Sequence, residues 1–229
     1  MSLGVDREQV TYLDAGHLYL LEALTGEQIW QSERRSSVTA PGSPVTVVLE
    51  ASHIFVADQQ KLNAYDRRTG KALWDAKSQI QHAVNGPNLF YNRGSVWMNH
   101  LGGLDPASGE LKEAMAIPGK FQFHMAHGRC YRAKASSNFI ISARNSTGFL
   151  PFGSTESVAY DWLRGTCQYG MLPCNGLVYA TPTNCECAMS GRLKGFYAMA
   201  KSAPPLPGGS TLGSGARLGW GARLVTGSA

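Results

Sequence analysis

The chain has 229 residues, of which 43% are hydrophobic and 16% are charged, and its formal net charge is +5. It is long enough to bury a sizeable core, and no run of about 18 apolar residues is present to cross a membrane. The basic residues are scattered, with short pairs at Arg34–Arg35 and Arg67–Arg68, which argues against a basic groove for nucleic acid. The N-terminal segment lacks the apolar core of a signal peptide.

An internal repeat is the main feature of the first half. Two segments, Leu18–Trp30 and Leu62–Trp74, align without gaps, and their turn glycines, Gly26 and Gly70, are 44 residues apart. A third copy at Leu101–Leu111 lacks the tryptophan. A period of about 40 residues, long enough for four short strands, is typical of the blades of a β-propeller.

Each copy has the pattern of a strand, a tight turn and a second strand. Apolar and polar residues alternate from Leu62 to Asp66, as they do in a strand. The aspartate can bond nearby amides, and the glycine that ends the turn tolerates a positive φ. The tryptophan of Lys71–Trp74, the next strand, is expected to be an apolar anchor between neighbouring blades. The residues that define the repeat are Gly26, Trp30, Asp66, Gly70, Trp74, Asp105 and Gly109.

The sequence Leu62-Asn-Ala-Tyr-Asp-Arg-Arg-Thr-Gly-Lys-Ala-Leu-Trp74, preceded by a strand and a short hairpin, resembles the PQQ-like repeat, named after pyrrolo-quinoline quinone. The resemblance is specific over residues 10–75 and fair over 86–115. This repeat occurs in quinoprotein alcohol dehydrogenases and in the non-enzymatic outer-membrane assembly lipoprotein of bacteria. The resemblance therefore implies an all-β fold, a β-propeller of four-stranded PQQ-like blades.

Later segments continue the repeat less regularly. Asn138–Ser142 and Thr147–Leu150 predict a hairpin, and Gly176–Ala180 and Leu193–Met199 correspond to the two strands that precede the turn in the second copy. Residues 1–201 thus contain about five units, and we expect an incomplete propeller because the family generally closes with about seven or eight blades.

The composition changes after Lys201. Ser202–Ser210 is rich in proline and glycine and predicts a linker. Residues 211–229 are rich in glycine, alanine, arginine and leucine and show no strand pattern. We therefore predict a second region, 202–229, that consists of a linker and an irregular or disordered tail.

All cysteines lie in one segment, 125–190, within the propeller region. They are Cys130, Cys167, Cys174, Cys185 and Cys187. The sequences around them resemble a block found in large, uncharacterised, multi-domain bacterial proteins that carry PQQ-like repeats. The resemblance assigns four of these cysteines to the block and leaves Cys174 as an additional one, and it implies no established activity.

Three interpretations of the cysteine segment remain open. Structural disulfides would pair Cys130, Cys167, Cys185 and Cys187 in a connectivity that the sequence does not define. A zinc or copper site would use soft sulfur and imidazole ligands. Its candidate ligands are His124, His127, Cys130, Cys185 and Cys187. The third interpretation is free or redox-active thiols, although no Cys-x-x-Cys sequence is present.

Catalytic signals are weak. A quinoprotein dehydrogenase needs a carboxylate base, a Ca²⁺ ion, a flat aromatic floor for PQQ and, in the alcohol dehydrogenases, adjacent cysteines, and the chain has no adjacent cysteine pair. Asp66 and Asp105 belong to turns, where aspartate is usually structural. Trp97 and Trp162 could form a cofactor floor, but packing between blades is the commoner role of such residues. The G-x-S-x-G and H-E-x-x-H sequences of hydrolases are absent as well.

We therefore expect a non-catalytic interaction or scaffold module of an exported bacterial protein, located in the periplasm or outside the cell. Its partner would be another protein or the remaining blades of the full-length protein, with no nucleic acid, no membrane span and no cofactor. The alternatives are a fragment of a quinoprotein oxidoreductase, with PQQ and Ca²⁺, and a metal-binding cysteine module. A repeat fold alone does not decide among them.

The disulfide interpretation predicts the outcome of a thiol titration. If two disulfides join the four cysteines of the block, the denatured, non-reduced protein should react with one equivalent of thiol reagent, at Cys174, because a disulfide sulfur is not nucleophilic. Reduction should raise the value to the five cysteines of the chain. Five reactive thiols without reduction, or stoichiometric zinc or copper in elemental analysis, would contradict this interpretation.

Overall fold

The computed structural model consists of five four-stranded sheets, which we call blades 1 to 5, and the described residues contain no helix. The described residues are 3–33, 44–77, 86–98, 102–113, 131–143, 147–154, 158–160, 162–167, 169–182, 193, 195–201 and 222–225. The strands of blades 1 and 2 are β1 (Leu3–Val5), β2 (Gln9–Asp14), β3 (His17–Glu22), β4 (Gln28–Gln31), β5 (Thr46–Leu49), β6 (His53–Ala57), β7 (Lys61–Asp66) and β8 (Ala72–Lys77). Those of blades 3, 4 and 5 are β9 (Leu89–Asn92), β10 (Ser95–Met98), β11 (Gly103–Leu104), β12 (Leu111–Glu113), β13 (Lys134–Ala135), β14 (Phe139–Ala143), β15 (Thr147–Pro151), β16 (Val158–Tyr160), β17 (Met171–Cys174), β18 (Leu177–Ala180), β19 (Tyr197–Lys201) and β20 (Ala222–Val225).

Within every blade the strands follow one another in chain order and pair antiparallel. This arrangement confirms the predicted all-β fold of four-stranded blades. Because each strand reverses direction, the turns after the first and third strands emerge together at one end, the turn face. The turns after the second strand and the connections between blades emerge at the other end, the connection face. The first strands of neighbouring blades contact one another: β1 contacts β5, β5 contacts β9, and β13 contacts β17. The first strand is therefore the innermost strand of each blade, and the fourth is the outermost.

A tryptophan from the outermost strand joins blade 1 to blade 2. The six-membered part of the Trp30 ring lies against Gly70 so closely that a Cβ built there would be 2.6 Å from the ring. The Trp30 Nε1–H donates a hydrogen bond to the carbonyl of Arg67, at 2.8 Å. Trp74 makes the same contacts one blade later, with Gly109 in place of Gly70. Its indole N–H bonds to the Pro106 carbonyl at 2.9 Å.

The turn that receives each tryptophan is closed by an aspartate. Asp66 Oδ1 accepts hydrogen bonds from both the amide and the hydroxyl of Thr69, each at 2.7 Å. These bonds, led by that from the hydroxyl, lower the pKa of Asp66 below its usual value. Asp105 closes the next turn in the same way, through the amides of Ser108 and Ala107, and its pKa is also lowered. The turn is therefore held in shape by local bonds before any blade packs on it.

Apolar clusters fill the spaces between blades. Side chains of β6 alternate between two of them: Ile54 and Val56 face blade 1, whereas Phe55 and Ala57 face blade 3. Blades 1 and 2 share Leu18, Leu20, Val47, Ile54, Val56 and Tyr65, and blades 2 and 3 share Phe55, Ala57, Leu62, Ala64, Leu89, Val96, Met98 and Leu104. Trp97, Ala133, Ile140, Leu150 and Phe152 join blades 3 and 4, and Leu163, Met171, Ala180, Tyr197 and Met199 belong to blade 5 and the segment before it. Full burial of one such large side chain stabilises the fold by about 1.5–3 kcal/mol.

In the described part of the interface between blades 3 and 4, no tryptophan docks on a turn glycine as Trp30 and Trp74 do. Glu113 of β12 lies at the position that Trp74 has in β8, and its Oε2 would be 3.0 Å from a Cβ built on Gly153, in the next blade. Trp97 of β10 supplies the missing volume: it is fully buried, and its ring meets that of Phe152 edge to face, with centroids 4.9 Å apart. At this interface a carboxylate therefore lies where an indole lies at the two earlier ones. The large buried ring comes from the second strand of the blade, β10, and not from the fourth.

The last blade differs from the sequence expectation at two points. Its third strand begins at Tyr197, whereas the pattern predicts a start at Leu193. Ala222–Val225 forms the fourth strand within a region for which the sequence predicts an irregular tail. Its residues pair with Ala198–Lys201, so backbone hydrogen bonds to β19 define this strand, although its Ala-Arg-Leu-Val sequence has no alternating pattern.

The Trp30 contact predicts unequal costs for two glycine substitutions. Gly70 and Gly176 have φ values of +72° and +74°, so Ala strains the backbone similarly at both. Only Gly70→Ala also forces a methyl group into the Trp30 ring. We expect Gly70→Ala to lower the free energy of unfolding by about 3 kcal/mol or more, and Gly176→Ala by about 1 kcal/mol. Urea unfolding measures both, and equal losses would contradict the contact.

Candidate interaction surface

A polar cleft of about 850 Å³ opens on the turn face between blades 1 and 2. Three turns form it: the β1–β2 turn, the β5–β6 turn and the β7–β8 turn. Its lining residues are Asp6, Arg7, Glu8, Gln9, Leu49, Glu50, Ala51, Ser52, Asp66, Arg67 and Arg68. Seven of these are charged, so the cleft suits a polar or charged ligand better than an apolar one.

Arg67 is the central residue of the cleft. Its Nη2 forms an ion pair with Asp6 Oδ2 at 2.6 Å, and its Nε donates to Gln9 Oε1 at 2.7 Å. Its Nη1 donates to the carbonyl of Glu50, at 2.9 Å. Through its own carbonyl, Arg67 also accepts the Trp30 indole. One side chain thus fastens the floor of the cleft to both blades.

Asp6 is held as a carboxylate by this arrangement. Burial tends to raise its pKa, but hydrogen bonds from the amides of Glu8 and Gln9, and then the hydrogen bond and the charge of Arg67, lower the pKa below its usual value. The two amide bonds to Oδ1 measure 2.9 and 2.8 Å. The Asp6–Arg67 pair is therefore a fixed, neutralised part of the cleft.

The rim of the cleft carries charges that point into solvent. Arg7, Glu8 and Arg68 are exposed and lie beside the neutralised Asp6–Arg67 pair. Exposed arginines bind carboxylates of a partner through two parallel hydrogen bonds. The rim can therefore contact an acidic partner while the floor stays rigid.

A second polar group lies beside the cleft, between blades 2 and 3. His53 Nδ1 is 3.4 Å from Glu50 Oε2, and its ring stacks on Phe55 with centroids 5.7 Å apart. Burial, followed by the charge and hydrogen bond of Glu50, raises the pKa of Tyr91. The Tyr91 ring also stacks on Phe55. This Glu–His–Tyr group links the cleft to the packing of the next blade.

Arg132 occupies a different position, at the start of the innermost strands. Its Nη2 donates to Thr46 Oγ1 at 2.8 Å and to the Pro87 carbonyl at 3.3 Å, so it joins segments of blades 2, 3 and 4. The Thr46 hydroxyl donates to the same carbonyl, at 2.6 Å. Burial lowers the pKa of Arg132, but a guanidinium remains protonated in proteins.

Most of the sequence-predicted cysteine and histidine candidates lie outside the described residues. These are His124, His127, Cys130, Cys185 and Cys187. Cys167 is half-buried, and its Sγ accepts a long hydrogen bond, 4.0 Å, from Nη2 of the buried Arg164. Cys174 is an exposed free thiol in β17. The disulfide and metal interpretations of this segment remain predictions.

The family of the chain follows from a comparison of its repeats with known families. Residues 7–161 match the PQQ_2 family, described as outer membrane protein assembly factor BamB. The chain belongs to this family. No curated protein sequence matches it.

The solved structures that share the fold of this PQQ_2 protein include a bacterial protein and a designed one. BamB from Moraxella catarrhalis is 15% identical, with a TM-score of 0.55, and the match covers 86% of this chain and 56% of BamB. The computationally designed protein Ika8 is 12% identical, with a TM-score of 0.54, and the match covers 77% of this chain and 53% of Ika8. Identities this low show the fold alone. The chain thus spans little more than half the length of either protein.

The two tryptophans considered for a cofactor floor have packing roles in this PQQ_2 chain. Trp97 is fully buried between blades 3 and 4, and Trp162 packs against the apolar cluster of blade 5. Trp97 has no exposed surface, whereas Trp162 is half-buried. Among the described residues, no group of three or more His, Cys, Asp or Glu side chains could hold a metal ion, and no helix could span a lipid bilayer.

Of the residues that line the cleft, the repeat pattern indicates only Asp66. Arg67–Arg68 stands in the sequence as a short basic pair, and no motif indicates a role for Asp6, Gln9 or Glu50. Arg67 occupies a fixed place in the repeat, three residues before the turn glycine. That place is occupied by Ala23 in the first copy and by Pro106 in the third, so the repeat pattern does not reveal its partners.

Removal of the Arg67 guanidinium tests its role in the cleft. Arg67→Met should lower the free energy of unfolding at pH 7 by about 1–3 kcal/mol, because several hydrogen bonds are lost. It should also raise the pKa of Asp6, measured by carboxyl NMR titration. Arg68→Met, on the same turn but exposed, should change both quantities little.

The stability that the Asp6–Arg67 pair contributes should depend on pH, and the sign of this dependence is defined. A carboxylate whose pKa is lowered by folding stabilises the folded state above its unfolded pKa, and this stabilisation disappears as the pH falls through the folded value. The stability difference between the native protein and Arg67→Met should therefore shrink below about pH 4. A difference that stays constant down to pH 2 would show that the Asp6 charge is not involved.

Proposed function

We propose that this PQQ_2 propeller is a non-catalytic protein-interaction module of an exported bacterial protein, and that it binds its partner at the cleft between blades 1 and 2. The observation that carries the proposal is that the cleft combines a fixed ion pair with exposed charged side chains. Arg67 and Asp6 neutralise each other in a fixed ion pair, in which the Asp6 side chain is 37% exposed, and Arg7, Glu8 and Arg68 are exposed charges beside it. Such a rigid surface with exposed charges favours recognition of another polypeptide.

The aspartates and tryptophans that could serve in catalysis or cofactor binding have structural roles, which supports this proposal. Asp66 and Asp105 close turns, and Trp30, Trp74 and Trp97 hold blades together. The family description, outer membrane protein assembly factor, supports an interaction role and a location outside the cytoplasm. The propeller would then present the cleft to segments of envelope proteins, and acidic side chains of the partner would contact Arg7 and Arg68.

Charge reversal at the rim tests the proposal. The chain is immobilised and offered to a bacterial envelope extract, and the captured proteins are identified by mass spectrometry and their affinities measured singly. The double variant Arg7→Glu with Arg68→Glu should bind the identified partner at least about tenfold more weakly. The matched control is Lys77→Glu with Lys112→Glu, two exposed reversals on the outermost strands β8 and β12, which should bind normally.

Two outcomes would contradict the proposal. Equal affinity of both double variants for the partner would show that the partner does not bind at the cleft. Stoichiometric uptake of PQQ with Ca²⁺, seen as absorbance of the cofactor on the purified protein, together with dye reduction by alcohols, would establish a quinoprotein oxidoreductase instead.

A further inference from the structure

Arg132, on the connection face, joins three blades at the opposite end from the cleft. It lies two residues before β13, the first strand of blade 4. Its Nη2 donates to the hydroxyl of Thr46 at 2.8 Å and to the carbonyl of Pro87 at 3.3 Å. Thr46 begins β5, and Pro87 lies two residues before β9. The guanidinium is therefore held where the innermost strands of blades 2, 3 and 4 begin.

The groups that hold the Arg132 guanidinium are themselves fixed. Thr46 is 4% exposed, and its hydroxyl donates to the Pro87 carbonyl at 2.6 Å. The backbone of blade 4 is tied to blade 3 beside it, because the Ala133 amide donates to Asn88 Oδ1 at 2.9 Å. The orientation of the guanidinium is thus set by a hydrogen-bonded framework before any ligand arrives.

The positive charge of Arg132 has no counter-ion within the described residues. Both of its acceptors are neutral oxygens, and no carboxylate of the described part of the chain forms an ion pair with it. The residue is half-buried, and burial lowers the pKa of the guanidinium. A charge that is partly removed from water and not paired costs free energy, which an anion from outside the chain can offset.

Arg67 provides a comparison within the same chain. All three of its guanidinium nitrogens donate hydrogen bonds, to Asp6, to Gln9 and to the Glu50 carbonyl, and the first of these acceptors is a carboxylate. Arg132 uses only Nη2, so the N–H groups of its Nε and Nη1 have no acceptor among the described residues. Arg67 is therefore engaged on every side by the fold, whereas Arg132 retains donors for a ligand.

The sequence around Arg132 contributes no nearby acid. Residues 114–155 contain no Asp or Glu. The basic residues of this segment are Lys120, Arg129, Arg132, Lys134 and Arg144. An excess of one sign of charge attracts ions of the opposite sign. The local composition therefore favours an anion as the ligand of Arg132.

We propose that Arg132 anchors a second binding site, on the connection face, and that this site takes a carboxylate group. The carboxylate accepts a charge-assisted hydrogen bond from Nη1 or Nε, while Nη2 keeps its bonds to Thr46 and Pro87. A carboxylate is favoured over a phosphate dianion because a single uncompensated positive charge matches a single negative one. The site goes beyond the cleft proposed above, which lies at the turn face.

Titration of the full chain with sodium acetate tests the site without any substitution in the protein under study. The ¹⁵N–¹H signal of Arg132 Nε is assigned by its absence from the spectrum of Arg132→Lys. At pH 6 and constant ionic strength, with acetate replacing chloride, this signal should shift and half-saturate at about 10–100 mM acetate. The Nε signal of Arg67, assigned from Arg67→Met, should not shift, because its donor is already engaged.

A pair of arginine variants makes the test specific. Acetate should raise the thermal midpoint of the native protein by roughly 3 °C at tenfold excess over half-saturation, because it binds the folded state. Arg132→Gln should lose this increase. The matched control is Arg93→Gln: Arg93 also donates through Nη2 to a neighbouring blade, at 3.0 Å to Asn138 Oδ1, but it is exposed and should not contribute.

Two sources of the carboxylate give different results. A blocked peptide, Ac-Gly-Gly-Glu-Gly-Gly-NH₂, that shifts the same Arg132 signal with at least about tenfold higher affinity than acetate would assign an acidic side chain of a polypeptide. Equal or weaker binding of the peptide would assign a small free acid, and both results support the site.

Three results would overturn the carboxylate site. The first is an Arg132 signal that does not saturate with acetate. The second is thermal stabilisation by acetate that persists in Arg132→Gln. The third is inorganic phosphate that binds more tightly than acetate and the peptide. If Arg132→Gln does not fold, the titration of the unsubstituted chain still decides, because it needs no folded variant. The cleft variants Arg7→Glu and Arg68→Glu leave Arg132 unchanged, so failure of the cleft proposal and failure of this one are separately visible.

Discussion

The contact between a tryptophan ring and the turn glycine of the following blade is the constraint on which the rest of the structure depends. It fixes the distance between the outer strands, because a ring this close to a glycine leaves no room for a side chain. The contact also fixes the orientation of the tryptophan ring, because the indole N–H donates to one particular backbone carbonyl of the next blade. Once the outer strands are placed, the side chains of the inner strands pack into the clusters between blades. The glycine at this position is thus required for two reasons, its positive φ and the ring above it.

The cleft follows from the same contact. The carbonyl that accepts the Trp30 indole belongs to Arg67, so the position of the tryptophan also sets the position of the guanidinium. From there Arg67 reaches Asp6 and Gln9 of blade 1 and the Glu50 carbonyl of its own blade. An element of the fold and an element of the proposed binding surface therefore share one residue. Arg7 and Arg68 are exposed, so the fold should tolerate substitution at both positions.

The repeat could be predicted from sequence because its determinants are local. Alternation in Leu62–Asp66, a turn ended by Gly70 and a tryptophan four residues later indicate strand, turn and strand without knowledge of the neighbours. The cleft could not be predicted in this way, since Arg67 and Asp6 meet only after two blades have packed. The same holds for Glu50, His53 and Tyr91. Strand β20 carries no alternating pattern that would indicate it, and its pairing with β19 is visible only in the folded chain.

The spacing of the tryptophan contacts has a consequence for how the chain folds. Trp30 meets Gly70 and Trp74 meets Gly109, so each of these two contacts joins residues about 35–40 positions apart. The turns that receive the rings are closed by their own aspartates and can form beforehand. These two contacts can therefore form between one pair of neighbouring blades at a time, in the order in which a ribosome delivers the chain.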